Sequence, residues 1–152
     1  MHYFAYGANL DVDTLRERNV EFGVVCLGRV RDKRLVFHVP GEDGTGKADL
    51  MDDRGSHAHG VVYDVPEASL AGLDVYEGIE RGRYRRQEIL VQTSRGEIPC
   101  VAYQAAKFRN GLKPSQDYLQ RLIRGAEHHG LPDHYLNFLK SHATMEAKPV
   151  KG

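Results

Sequence analysis

Apolar residues in this chain fall into short runs with a period of two, broken once by a helical stretch and followed by two more helices. The aromatic run Tyr3–Tyr6 predicts a first strand that stops at Gly7; Leu10-Asp11 then opens a short helix, with Asp11 as N-cap and Asp13 at its positive end. "GVVCLGRV" (23–30) and "KRLVFHV" (33–39) are β-branched and alternating, so two strands are predicted, and "HGVVYDV" (59–65) predicts another. Pro66 starts a helix over "PEASLAGLDVYEG", which Gly78 ends as a C-cap. "RYRRQEILVQT" and "EIPCVAYQA" flank "SRGE" and predict a hairpin. After Pro114, Tyr118, Leu119, Leu122, Ile123 and Ala126 make one helical face, which Gly130 closes; "PDHYLNFLKSHA" predicts a last helix with Leu136 and Leu139 inward. Segments 40–58 and 107–114 are read as loops.

This order predicts an α+β fold, a curved or closed antiparallel-rich sheet covered by helices. At 152 residues the chain suits one domain, over 1–143, with a tail from 144 to 152 that is expected to fray. Charge balances at 21 basic against 21 acidic residues, which argues against a nucleic-acid partner. The cluster Arg81, Arg83, Arg85, Arg86 is local and reads as an exposed strand face. Cys26 and Cys100 lie in apolar runs without metal spacing and read as buried free thiols. No secretory pattern opens the chain and no apolar stretch approaches the ~20 residues of a membrane span, so a cytoplasmic protein with no membrane partner is expected.

Gly41–Lys47, "GEDGTGK", has the spacing of a phosphate-binding loop. Ala48 stands where the magnesium-binding hydroxyl belongs, and Glu42 and Asp43 would repel phosphate, so a surface loop is expected. His57-Ala58-His59 and His128-His129 complete no ligand set, and Ser56 beside His57 is not a triad. Glu77 is different. It follows Leu70 and Leu73 at spacings of three and four, so it is either the next inward position of its helix, a desolvated carboxylate able to act as acid and base, or a solvated helix end. The turn at Gly7-Ala8 likewise is either plain, with Gly7 at positive φ, or a backbone surface left bare for a carboxylate or an oxyanion.

Together these two segments resemble a known family. "YFAYGAN" (3–9) is similar to the Tyr-Gly-Ser-Asn loop near the start of γ-glutamylcyclotransferases, and "GVVYDVPEASLAGLDVYEG" (60–78) to that family's strand, helix and Leu-Asp-x-x-Glu-Gly block. "GRYRRQEI", "EIPCVAY" and "HGLPDHYLNFL" resemble family segments in the right order, so the likeness covers nearly the whole chain. It implies a small closed mixed or antiparallel β-barrel with flanking helices. It implies cyclisation of a γ-glutamyl amide to 5-oxoproline and a free amine or amino acid, without metal or cofactor, on a possible homodimer. The catalytic glutamate falls on Glu77. The substrate loop falls on Tyr3, Phe4, Ala5, Tyr6, Gly7, Ala8 and Asn9; Tyr103, Tyr84 and Tyr118 match tyrosines of the substrate cavity. One departure stands out: the family's serine is Ala8 here. The alternative it leaves is a non-catalytic small-molecule binding or interaction module on the same fold.

Overall fold

A computed structural model describes residues 1–149 of the protein. Strand β1 (His2–Ala5) runs into a 3-10 turn (Ala8–Leu10) and helix α1 (Val12–Glu17). Two long strands follow, β2 (Gly23–Pro40) and β3 (Gly46–Asp64), then α2 (Glu67–Tyr76), the hairpin β4 (Tyr84–Thr93) and β5 (Gly96–Ala105), and the helices α3 (Gln116–His129) and α4 (Asp133–Lys140). The strands close into a barrel in the order β1-β3-β2-β4-β5. Closure is made by β1, which pairs antiparallel to β3 (Phe4 opposite Val62) and parallel to β5 (Tyr3 opposite Val101). The sheet is therefore mixed, as the family fold implied.

The two strands expected over 23–30 and 33–39 are one. The gap between them is a bulge at Arg31/Lys33, where Asp32 takes φ 59° and its carboxylate accepts from the Gly55 amide at 2.9 Å. Most of the expected loop 40–58 is also strand: only residues 41–45 turn, and β3 begins at Gly46. The middle of this hairpin, residues 31–34 and 51–57, is largely exposed. It is held by cross-strand pairs, Lys33 with Asp52 at 2.5 Å and Arg34 with Asp53 at 3.7 Å.

Phe4, Leu35, Val39, Val61, Leu70, Leu73, Leu122 and Leu139 are all fully buried in one core. In α4 Leu139 is fully buried and Leu136, partly covered, packs against the core as expected, and Tyr135 joins them. Ser115 caps α3 by accepting from the Tyr118 amide at 3.1 Å, and Gly130 ends it at φ 76°. Beyond α4, the Met145 amide donates to Pro114 O at 3.0 Å and the Lys148 amide to Asp43 O at 2.8 Å. Residues 150–152 of the expected tail lie outside the described residues. No helix among the described residues is long and apolar enough to cross a membrane.

Candidate active site

A cavity of about 630 Å³ opens between the turn after β1, the C-terminal end of α2, the β2–β3 turn and the start of α3. Glu77 stands on its wall because of how α2 ends. Gly78 takes φ 71°; its amide bonds to Val75 O at 3.1 Å and that of Ile79 to Asp74 O at 3.1 Å, a Schellman arrangement that makes Glu77 the C-cap. Leu70 and Leu73 anchor the same face in the core, so the next position on it delivers a carboxylate to the cavity. Burial raises the pKa of Glu77, against the opposing charges of Arg18 and Arg83, and no hydrogen bond from the described residues favours its ionised form. The negative end of α2 acts in the same direction as burial.

The opposite wall is the turn out of β1. Gly7 has φ −109°, so it is not a left-handed turn glycine. It is there for space: a Cβ would come within 3.1 Å of the Ala48 Cβ and 3.4 Å of the Tyr118 hydroxyl. The carbonyls of Gly7 and Ala8 accept from Leu10 and Asp11 at 3.0 Å, while the amides of residues 7–9 have no main-chain partner among the described residues. Asn9, 3% exposed, clamps the turn: its Nδ2 donates to the Tyr3 hydroxyl at 2.8 Å and its Oδ1 accepts from Arg18 at 2.6 Å. From behind, the Tyr63 hydroxyl donates to Asn9 O at 3.0 Å. Asp11 occupies the N-cap position of α1, but its carboxylate bonds to the Thr14 hydroxyl at 2.8 Å and to Arg124 at 2.6 and 3.1 Å. Burial pushes its pKa up, yet the bonds from Arg124 and Thr14 outweigh burial and the net shift is down.

Besides Tyr76, five tyrosines line the cavity: Tyr3, Tyr6, Tyr84, Tyr103 and Tyr118. Tyr6 donates to Tyr103 O; Tyr103 donates to Asp74 at 2.7 Å; Tyr84 donates to Ala48 O at 2.6 Å; Tyr118 accepts from the Ala48 amide at 3.1 Å. Burial raises the pKa of each of these phenols, that of Tyr118 to about 12, so all five are neutral at physiological pH. They offer hydroxyls and ring faces rather than charge. The chemistry available is one carboxylate without an ionic partner among the described residues, backbone amides of the turn without main-chain partners, and the fixed dipoles of the phenols.

The cavity thus brings together Tyr3, Tyr6, Gly7, Ala8, Asn9, Glu77, Tyr84, Tyr103 and Tyr118. Phe4 and Ala5 do not line it. Both are buried in the core, and strand alternation places Phe4 on the face of β1 opposite Tyr3. Gly41–Lys47 forms a turn that contributes to the rim and has no phosphate cradle: Asp43 fills it, accepting from the Thr45 amide at 3.0 Å and hydroxyl at 2.7 Å. The expected exposed arginine face is also corrected. Only Arg81 and Arg85 are exposed; Arg83 lines the cavity, and Arg86 ties β4 to α2 through Asp74 at 2.7 Å and Glu67 at 3.1 Å. His57 is exposed, whereas His59 is buried against Tyr135 and His134, and burial pushes its pKa down to about 4. Arg18, Tyr76 and Arg83 belong to the site without any local motif to announce them; each arrives from a different element.

Residues 57–139 match the model of the AIG2-like family. The chain is 33% identical to a γ-glutamylcyclotransferase of Bos taurus over 156 aligned residues, covering 99% of this chain and 81% of the bovine protein. It is 32% identical to the Homo sapiens γ-glutamylcyclotransferase, covering 91% of this chain and 77% of that one. A solved structure of a γ-glutamyl cyclotransferase superposes with a TM-score of 0.90 at 29% identity, covering 98% of this chain and 91% of the other.

Proposed function

Since the chain belongs to the γ-glutamylcyclotransferase family of enzymes, we propose that it cyclises γ-glutamyl amides to 5-oxoproline with Glu77 as the proton carrier. The observation that carries this reading is Glu77 itself. It is a carboxylate with a raised pKa, without a hydrogen-bond partner among the described residues, on the wall of a cavity also lined by Gly7, Ala8 and Asn9, whose amides have no main-chain partner among those residues.

In the proposed reaction the substrate's α-ammonium faces Glu77, and its carboxylate and γ-carbonyl oxygen face the turn at 7–9. Glu77 takes a proton from the ammonium. The free amine attacks the γ-carbonyl, forming a new N–C bond and an oxyanion that the turn amides stabilise. Glu77 gives that proton to the leaving nitrogen as the old amide bond breaks, then takes a second from the new ring nitrogen and passes it to the freed amine. Two protons pass overall from the α-nitrogen to the leaving amine, no water is consumed, and Glu77 ends as it began. Because the attack is intramolecular, holding the chain folded back supplies much of the rate, up to roughly 7–11 kcal/mol for well-oriented reactions. The neutral tyrosines serve that task by shaping the cavity.

The test is the product balance of purified protein with γ-glutamyl-L-alanine. Equal amounts of 5-oxoproline and alanine support cyclisation. Glutamate in place of 5-oxoproline points to hydrolysis and contradicts the proposal. One observation favours a second reading: Ala8, 5% exposed on the cavity wall, lacks the family's hydroxyl. A non-catalytic binding module would be protected from heat unfolding by γ-glutamyl compounds while leaving them intact.

A further inference from the structure

Most charges around the cavity are ion-paired. Arg81 pairs with Glu42 at 3.0 Å, Lys47 with Asp43 at 3.3 Å, and Arg121 with Glu17 at 2.9 Å and Asp117 at 3.3 Å. Three lining charges have no ionic partner among the described residues: Glu77, Arg18 and Arg83. Arg18 is well held by neutral groups. It donates to Asn9 Oδ1 at 2.6 Å and to the Tyr76 hydroxyl at 2.8 Å, and its guanidinium lies 3.8 Å from the centre of the Tyr76 ring. Arg83 has much less. Its Nη2 reaches Pro40 O at a long 3.4 Å, and its Nε is buried with no partner among the described residues. A charged donor left in that state is costly unless something else completes it. Gly78 leaves room for it, since a Cβ there would lie 3.0 Å from the Arg83 Cδ, and Arg83 is near enough to Glu77 for its charge to act on that carboxylate.

Arg18 and Arg83 suit anionic groups of a ligand and Glu77 a cationic one, while the ion-paired set around them, three cations with four carboxylates, holds one net negative charge. The γ-glutamyl unit supplies one of each: its ammonium for Glu77, and its carboxylate for the turn that Arg18 supports through Asn9. One positive charge is left over for the other end of the substrate. We propose that Arg83 is a specificity residue that receives a carboxylate on the leaving amine, so that γ-glutamyl amino acids and peptides are selected over uncharged γ-glutamyl amines. This rests on the cyclotransferase reading above. Arg83 is no part of the proton transfer; it holds the leaving group.

The test compares γ-glutamyl-L-alanine with γ-glutamylethylamide, which differ only by that carboxylate. The parent should favour the alanine compound by about 10- to 100-fold in kcat/KM, the span of a charged hydrogen bond, and mostly through KM. Arg83→Gln should bring the ratio to within about threefold of one, and Arg83→Lys, which keeps the charge but not the fork, should fall between. Any effect of these changes on the basicity of Glu77 acts on both substrates and cancels in the ratio. A parent ratio near one overturns the proposal and needs no variant to fold. So does a ratio that Arg83→Gln leaves unchanged while 5-oxoproline still forms. Failure of both substrates to give 5-oxoproline overturns the cyclotransferase reading itself, and the role of Arg83 with it.

Discussion

Gly78 carries two demands at once, and substitution by alanine separates them. At φ 71° an L-residue is strained, by about 1–2 kcal/mol in the left-handed region. A Cβ there would also press on flexible side chains, 3.0 Å from the Arg83 Cδ and 3.1 Å from the Arg81 Nη2. Those side chains can move a few tenths of an ångström at little cost in stability, but they form the wall next to Glu77. Gly96 in the β4–β5 hairpin is the matched control: it has φ 96°, and a Cβ there would meet nothing within 4 Å. For a chain of this length 1 kcal/mol moves Tm by about 2–4 °C, so both Gly78→Ala and Gly96→Ala should lower Tm by about 2–8 °C. Only Gly78→Ala should also lower kcat/KM for a γ-glutamyl substrate, by up to about 100-fold, because a small displacement at a reacting centre costs that much. Thermal unfolding and 5-oxoproline formation read the two effects side by side. If Gly78→Ala keeps the parent's activity, or loses no more than Gly96→Ala does, the claim that the end of α2 positions the catalytic carboxylate is wrong.

Glu77→Gln should stabilise the protein at neutral pH. The folded pKa of Glu77 is raised, so the parent loses stability as pH climbs from the unfolded value near 4.5 through the folded one; Tm curves of the two proteins should meet at acid pH and separate above it, with the variant higher. Asp11 has the opposite sign. Its pKa is lowered, so its contribution is present above the unfolded value near 3.8 and disappears as pH falls through the folded one. With Arg124 55% exposed the pair is worth only about 1–2 kcal/mol, and denaturant unfolding of Asp11→Asn at pH 7 should show a loss of that size. Asn9→Ala removes the bonds to Tyr3 and Arg18, which at ~0.5–1.5 kcal/mol for an ordinary hydrogen bond, and more for one to a charge, should cost roughly 1–3 kcal/mol by denaturant unfolding.

The parts of the site that are legible in the sequence share a local cause. Leu70, Leu73 and Glu77 lie on one helical face, so their spacing alone puts a carboxylate where the core side should be. Gly7 stands out at the end of its aromatic strand, although the reason is close approach to Ala48 and Tyr118 rather than positive φ. The failures share a cause too. Segment 46–58 reads as a loop because residues 51–57 are largely exposed and are paired through ions instead of through buried alternation. Phe4 and Ala5 enter the expected site with the run of the motif, whereas strand alternation turns Phe4 into the core. Arg83 is hidden in a basic cluster that looks uniform along the chain; barrel closure sends its members to different surroundings, and no spacing encodes that.

The central claim is that Glu77 carries the proton in a cyclisation. Parent and Glu77→Gln proteins, both shown to be folded by thermal unfolding, would be incubated with γ-glutamyl-L-alanine and the rate of 5-oxoproline formation measured. The account predicts a steady rate for the parent and a fall of about 10²- to 10⁴-fold for the variant, the usual reach of general acid–base catalysis. A variant that keeps the parent's rate, or a parent that binds the substrate and leaves it whole, would contradict it.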